Sequence, residues 1–404
     1  MIRYVIIGGG PAGFSAGIQL LNAARYSGQK INCIIFEKNM QGTKACGGLI
    51  TPKSKHLLDI LGINIDMGEA YNEVDVHYAK LNFNYCTTSP FYIIERRKLE
   101  DALFKRFCEL GGTVIHLRVR MYDPVGKCVF TNGQIFLYDK LIIACGNRKL
   151  PSSISMGMRE CCPKNALGVS AVVREQANVK YGGSIHIWFL KDLKGYCWIF
   201  PLGSGYCNIG FAGMIESPEN YRIVKEEFGK DIGLSLSSLR GATFPLGYFP
   251  DKHGIEAYTD VFIIGEAGKF FDSVSGEGIY FALYTGMLIA NYISQRLSRR
   301  EFLYAESKLR GICRGSCFTQ KLLFSNWIVL PTLLHIAKHL KKLDAHLTDN
   351  LLLEYKYGYY SAYCSPLICY FHCAMPFNEQ KSLDKVLELE NEKKQKTQKT
   401  QSEE

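Results

Sequence analysis

Between a short β-branched run, Arg3 to Gly8, and a stretch with apolar residues at helical spacing, Pro11 to Leu21, the chain reads Gly8-Gly9-Gly10-Pro11-Ala12-Gly13. A G-x-G-x-x-G motif carries meaning only where a strand enters it and a helix leaves it, and both conditions hold here. Gly8 permits the tight turn, Gly10 lets a pyrophosphate approach the backbone, and Gly13 lets the helix lie close on the strand. The helix start at Pro11 and Ala12 then turns its amides toward the phosphates. Asn32-Cys33-Ile34-Ile35-Phe36-Glu37 supplies a second strand and completes a βαβ unit. Glu37, followed by Lys38, ends that strand where a carboxylate accepts hydrogen bonds from an adenosine ribose. The alternative is a glycine turn beside a surface glutamate.

That unit is only the beginning of a 404-residue chain, long enough for two or three domains around a substantial core. Hydrophobic residues make up 47% and charged residues 21%, which excludes a wholly disordered chain or a coiled coil. A net charge of +10 favours anionic partners, phosphate cofactors or acidic lipid surfaces, but no basic-aromatic ladder points to nucleic acid. The chain opens on Met1-Ile2-Arg3-Tyr4-Val5-Ile6-Ile7 without a charged-then-apolar leader, so its 15 cysteines read as reduced thiols of a cytoplasmic protein. The stretch nearest to a membrane span, Leu322 to Ala337, is interrupted by Ser325, Asn326, Pro331 and His335. It reads as a buried or membrane-touching helix pair.

Thr51-Pro52 has the form of an N-cap followed by a first-position proline, opening a helix through Leu61 that Gly62 stops. Leu99 to Leu110 predicts a second amphipathic helix, and Thr113 to Leu117 a strand. Val125 to Leu137, turning at Asn132-Gly133, predicts a hairpin, and Asp139 to Cys145 an apolar strand. From Gly168 to Tyr248, glycine punctuation and alternation such as Ser184-Ile185-His186-Ile187-Trp188-Phe189 predict an antiparallel sheet. Val261 to Gly265 returns as a strand, Gly276 to Ser294 as a helix opened by Gly-Glu-Gly, and two helical stretches run to about Leu347. The tail from about Lys381 is rich in Lys, Glu and Gln and reads as disordered.

Four separated segments resemble the flavoprotein family of the geranylgeranyl reductases, relatives of the aromatic-ring hydroxylases and flavin-dependent halogenases. The first is the glycine fingerprint. Lys44-Ala45-Cys46-Gly47-Gly48-Leu49 is similar to the reductases' cysteine-glycine-glycine loop, and Arg96 with Leu99, Glu100 and Leu103 to the arginine helix near the flavin. Gly195-Tyr196-Cys197-Trp198-Ile199-Phe200-Pro201, continued by Asn208-Ile209-Gly210, resembles the Gly-Tyr-x-Trp-x-Phe-Pro stretch. Gly265-Glu266-Ala267-Gly268, then Gly276-Glu277-Gly278-Ile279, is similar to the second flavin motif. Three departures bear on flavin geometry: Glu266 stands for aspartate, Lys269 for glycine and Ser273 for proline.

The resemblance implies an α/β fold, with a Rossmann-like FAD-binding βαβ domain, an inserted antiparallel β-sheet substrate domain and C-terminal helices. Residues 1–150 and 251–300 form the FAD-binding part, with some of 50–95 on the substrate side. Residues 151–250 form the substrate domain, 301–375 the helical region and 381–404 the disordered tail. It further implies FAD held by Gly8, Gly10, Pro11, Ala12, Gly13, Glu37 and Lys38 at one end. The other end is held by Cys46, Gly47, Gly48, Arg96, Gly265, Glu266, Gly276, Gly278 and Ile279.

Cys46, near Lys44 and in an amide-rich turn, has the setting that lowers a thiol pKa and makes it a proton donor, although most lone cysteines are small buried hydrophobes. Tyr196, Trp198 and Phe200 alternate and so share one strand face, a substrate wall together with Pro201 or an ordinary aromatic core. The groups Cys161-Cys162, Cys313/Cys317 and Cys364/Cys369/Cys373 beside His372 lack C-x2-C spacing, and no metal is expected.

The expected activity is FAD-dependent reduction of carbon–carbon double bonds in an apolar, prenyl or lipid-like substrate. Cys46 and Tyr196 serve as the acid, and NAD(P)H or another reductant as electron donor. Contact with the inner membrane face would admit the lipid through Leu322–Leu340, and oligomeric state stays open. A flavin monooxygenase, or a flavin-bearing redox protein without turnover, is the alternative.

Overall fold

The structure, a computed structural model, describes residues 1–38, 44–79, 81–147, 152–153, 165–174, 183–190, 193–214, 217–232, 240–245 and 255–325, with Thr332 and His335. The β-branched runs at the N-terminus assemble as expected. β1 (Ile2–Ile7) lies between β2 (Ile31–Phe36) and β10 (Lys140–Ile143), all parallel. β6 (Thr113–Ile115) extends the sheet beyond β2 and β18 (Val261–Ile263) beyond β10, with β17 (Glu256–Tyr258) antiparallel at the edge. The order is β17-β18-β10-β1-β2-β6. Chain connections run in opposite directions from β1, and open α/β sheets bind ligands at the carboxyl end of the strand at such a reversal. Gly8 follows β1 at that end.

α1 (Pro11–Ser27) and α5 (Ile279–Ile293) cover one face of this sheet through Phe14, Ile18, Leu283 and Ile289. α3 (Arg96–Glu109) packs on α1, with the Phe14 and Phe107 rings 5.8 Å apart. It begins at Arg96 rather than Leu99, and α5 begins at Ile279 because Gly276 and Gly278 form the approach to the helix. The opposite face carries a four-stranded sheet of β7 (Met121–Asp123), β8 (Cys128–Phe130), β9 (Ile135–Leu137) and β11 (Ser152–Ser153). Tyr122, Val129 and Tyr138 pack there on Val5, Ile7 and Ile143.

The third sheet has eight strands: β3 (Leu49–Ile50), β4 (Ala70–Tyr78), β5 (Leu81–Ile93), β12 (Asn165–Arg174), β13 (Ile185–Trp188), β14 (Lys194–Gly203), β15 (Tyr206–Met214) and β16 (Arg240–Pro245). Their order is β16-β12-β15-β14-β13-β4-β5-β3. The antiparallel pattern expected from Gly168 onward is broken once, where β13 pairs β4 in parallel. α2 (Pro52–Ile60) connects β3 to β4, capped by Thr51 as expected. Alternation divides the sheet. Val74, Ile185, Trp198 and Phe200 form its inner face, while Cys197, Ile199 and Phe211 face α4 (Pro218–Ile232) through Val224 and Phe228.

α6 (Arg299–Ser325) runs from the first core, through Phe302 and Leu309, to the inner face of the large sheet at Leu323. The second helical stretch, the tail, Cys161-Cys162, the Cys364/Cys369/Cys373 group and most of Leu322–Leu340 lie outside the described residues. Among the described residues no helix is long and apolar enough to cross a membrane.

Candidate active site

At the end of β1 the backbone is drawn tight. Gly8 has φ +112° and a Cβ there would lie 2.4 Å from the Ala144 carbonyl oxygen; one at Gly13 would lie 2.0 Å from the Gly8 carbonyl oxygen. Gly10 is the opposite case, since a Cβ would meet nothing within 4 Å. α1 starts immediately after, at Pro11 and Ala12, with Gly10 as N-cap and no side-chain cap for its first amides. Glu37 Oε2 accepts the Gly9 N–H at 2.8 Å, so it braces the turn from the position expected to face a ribose. Lys38 is exposed beside it.

The second glycine segment begins as a 3₁₀ turn, Gly265–Gly268, after β18 and reaches α5 through Gly276 and Gly278. Gly278 is the N-cap of Ile279, again with no side-chain cap. Open backbone at Gly10 and two helix starts without side-chain caps fit a long anionic cofactor such as FAD.

Each departure from the family pattern has a local counterpart. Lys44 Nζ contacts both Glu266 carboxylate oxygens at 2.6 Å, which ties the thiol loop to this segment. Lys269 adopts φ +61°, a left-handed conformation that costs a lysine more than a glycine. Ser273 donates its N–H to Ser316 Oγ at 2.7 Å, a bond that proline cannot make, and Ser316 donates onward to Asp272 Oδ1 at 2.9 Å. Asp272, whose Oδ1 also accepts Val274 N–H and Ser275 N–H, is 3% exposed, and burial pushes its carboxyl above the usual range. Glu277 accepts Thr51 Oγ1 at 2.6 Å and Lys53 Nζ at 2.5 Å.

The loop at Cys46 lies between these segments and the large sheet. Its half-buried sulfur accepts the Gly48 N–H at 3.3 Å. A Cβ at Gly47 would lie 2.7 Å from the Phe200 ring, so only glycine lets the loop lie flat on the aromatic face. On that face the Tyr196 and Trp198 ring centroids are 5.9 Å apart, and those of Trp198 and Phe200 5.7 Å. Pro201 is buried, but strand alternation sets it with Cys197 and Ile199 on the side opposite the wall for which it was expected.

The Tyr196 hydroxyl donates to the Ser275 carbonyl, and Trp198 Nε1 donates to Asn208 Oδ1 at 2.9 Å. Burial first, with the charges of Asp272, Cys46 and Glu277, holds the Tyr196 phenol well above the ordinary tyrosine range. Arg96 is largely buried, donates to Glu100 Oε1 at 2.7 Å and lies near enough to Cys46 and Glu266 to interact with their charges.

The segments singled out in the sequence thus come together in space. Lys53, Asp272 and Ser316 were not anticipated as site residues. Asn208 had a sequence signal, as the continuation of the Gly-Tyr-x-Trp-x-Phe-Pro stretch, but no role of its own.

No protein-family model matches the chain. The menaquinone reductase of Mycobacterium tuberculosis is 25% identical over 333 residues, which cover 72% of this chain and 76% of that one. The chloroplastic geranylgeranyl diphosphate reductase of Arabidopsis thaliana is 24% identical over 340 residues, 76% of this chain and 69% of that one. Among solved structures, a geranylgeranyl bacteriochlorophyll reductase-like protein from Thermoplasma acidophilum has a TM-score of 0.62 at 17% identity, covering 96% of this chain and 100% of that one. By these likenesses the chain is an enzyme of the FAD-dependent oxidoreductase class, geranylgeranyl reductase-like in sequence and in fold.

Proposed function

We propose that this enzyme reduces carbon–carbon double bonds of a prenyl or other lipid-like substrate lying against Tyr196, Trp198 and Phe200. One observation carries the reading. Both hydrogen-bond donors of that face are used inside the protein, Tyr196 by the Ser275 carbonyl and Trp198 by Asn208, so the wall offers a ligand ring carbon and no free donor. Such a wall rewards an apolar chain and leaves a polar substrate group unsatisfied. The activities for which the menaquinone reductase and the geranylgeranyl diphosphate reductase are named agree with it.

Gly8, Gly10, Pro11, Ala12, Gly13 and Glu37 would hold the ADP half of FAD; Gly47, Gly48, Arg96, Gly265, Glu266, Gly276, Gly278 and Ile279 the flavin half. Bound FAD supplies the hydride, after reduction by NAD(P)H or another donor. An isolated alkene is a poor electrophile, so the protein must deliver a proton to the second carbon in a dry cavity. Cys46 is that donor. The Gly48 N–H faces the sulfur that gives up the proton, Arg96 lies near it, and solvent admitted when the product leaves returns the proton. Tyr196 stays neutral and completes the wall. On α6, Phe318 is 63% exposed beside Lys321, a pairing suited to lipid entry at an acidic membrane face.

The test is anaerobic. Protein carrying flavin is reduced with dithionite and mixed with a geranylgeranyl lipid. Reoxidation with a saturated product is expected, slowed about 10²- to 10⁴-fold in Cys46→Ala. Reduced flavin that is oxidised only when oxygen is admitted overturns the reading, in favour of monooxygenation or a redox protein without turnover.

A further inference from the structure

We infer that Asn208 is a positioning residue, a side chain that bridges the Cys46 loop to the aromatic wall and thereby sets the environment of the thiol. Its role for the reaction rests on the function proposed above; its effect on the thiol does not.

The orientation of the Asn208 amide follows from chemistry. An indole N–H only donates, so the atom facing Trp198 Nε1 at 2.9 Å must be Oδ1. That leaves Nδ2 to face the carbonyl oxygen of Cys46, which only accepts, at 3.0 Å. The bonds therefore run one way, from indole to amide to the Cys46 carbonyl. Ser170 Oγ adds a weaker donor to the same oxygen at 3.4 Å. Asn208 is 7% exposed, so water cannot replace a lost partner and the amide has one satisfied orientation.

The sheet register explains why this position was needed. Opposite the aromatic strand, β15 places Ala212 across from Tyr196, Gly210 across from Trp198 and Asn208 across from Phe200. A Cβ at Gly210 would lie 2.5 Å from Trp198 Cζ2, so the indole lies over a bare backbone and points its N–H along the strand to Asn208. The Cys46 carbonyl belongs to the peptide that leads into Gly47, and Gly47 lies against the Phe200 ring. Locking that carbonyl fixes where the Gly48 N–H meets the Cys46 sulfur. Thiol and wall thus move together: a ligand that displaces the Trp198 indole also displaces the thiol.

The test follows the thiol rather than turnover. In flavin-loaded protein, the pH profile of Cys46 alkylation by iodoacetamide is read by peptide mass spectrometry, with the exposed Cys86 and Cys108 as internal standards. Asn208→Leu removes both bonds and is expected to change the Cys46 rate about five- to tenfold at fixed pH and move the midpoint of its profile, with the standards unchanged. Asn208→Asp keeps an acceptor for Trp198 but loses the donor to Cys46. It is expected to retain the wild-type tryptophan emission maximum while Cys46 behaves as in Asn208→Leu. Ser170→Ala is expected to act in the same direction with a smaller effect, and it serves where Asn208→Leu does not fold.

A folded variant at position 208 whose Cys46 profile matches the wild type overturns the inference. So does a normal profile in Ser170→Ala when both position-208 variants fail to fold. If Cys46→Ala turns over normally while the Asn208 variants shift alkylation as stated, the proposed donor is wrong and the positioning role stands.

Discussion

Asp260 shows how one residue serves both a backbone and a charge requirement. It sits between β17 and β18 with φ +69°, a left-handed turn that aspartate and asparagine enter more readily than other side chains. Its carboxylate receives Lys127 at 2.6 Å and also Lys140. Burial alone would raise the carboxyl, but the hydrogen bonds from the two lysines outweigh it and hold the group below its ordinary value of 3.8. A carboxyl lowered in the folded state contributes stability above the unfolded value, and that contribution disappears as pH falls through the folded value. Asp260→Asn keeps the turn and removes the charge. It is expected to cost about 1 kcal/mol at pH 7 and less at a second, acidic pH below the ordinary carboxyl value, the loss shrinking as pH falls through the folded one. Urea unfolding at both pH values decides it: an equal loss at each would mean that the turn, rather than the ion pairs, carries the effect.

At the scale of elements, the pyrophosphate end of the site depends on how closely α1 approaches α5. A Cβ at Gly286 would lie 1.9 Å from Ser15 Oγ and 2.6 Å from the Ala12 carbonyl oxygen, while Gln19 and Asn291 close the same contact with a buried hydrogen bond at 2.8 Å. Gly286→Ala must push α1 outward, and Ala12 lies in its first turn. The expected result is a loss of about 1–3 kcal/mol together with reduced flavin content. Gly311→Ala is the control. It adds a methyl where nothing lies within 4 Å and is expected to be neutral or to stabilise by about 0.5–1 kcal/mol. Thermal melts and flavin absorbance per chain check both, and full flavin loading in Gly286→Ala would show that α1 can give way at no cost to the site.

These two helices, with β1, β2, β10 and β18, were legible because their signals are local: β-branched runs, glycines at strand ends and a proline at a helix start. β4 and β5 also carry a local signal, Val74-Asp75-Val76-His77-Tyr78 and Leu81-Asn82-Phe83-Asn84-Tyr85 alternating cleanly, but that signal does not give their place in the sheet. Their place is fixed by partners far along the chain, since Val74 pairs with Ile185. Short-range pattern contains no record of that pairing. The site divides in the same way. Cys46, Glu266, the aromatic triplet and Asn208 all stand in recognisable motifs, but what Asn208 does shows only when β15 brings it between Trp198 and Cys46.

For the whole molecule, the question is what joins the nucleotide-binding sheet to the large sheet, since the reacting groups come from both. Among the described residues, the ties that cross at the second glycine segment include Lys44 to Glu266, Tyr196 to the Ser275 carbonyl, and Lys53, beside Thr51, to Glu277. The last is the more enclosed of the two ion pairs, with the two side chains only 15% and 13% exposed, and Lys53 also lies 4.4 Å from the centre of the Tyr280 ring. It links α2, which leads into β4, to the start of α5. Removing one partner of such a pair leaves a charge poorly solvated, a loss of about 3–5 kcal/mol, whereas removing both charges costs less. Lys53→Met is therefore expected to be much less stable than Lys53→Met with Glu277→Gln. It should also uncouple the two halves, because the linkage fails before either sheet does. Unfolding in denaturant can be followed by flavin release and by tryptophan fluorescence, to which Trp188 and Trp198 of the large sheet contribute. The two probes are expected to coincide in the wild type and to separate in Lys53→Met, flavin release coming first. Coincident transitions in Lys53→Met would place the coupling in the Lys44 and Tyr196 ties instead, and the same measurement on Lys44→Met would then show the separation.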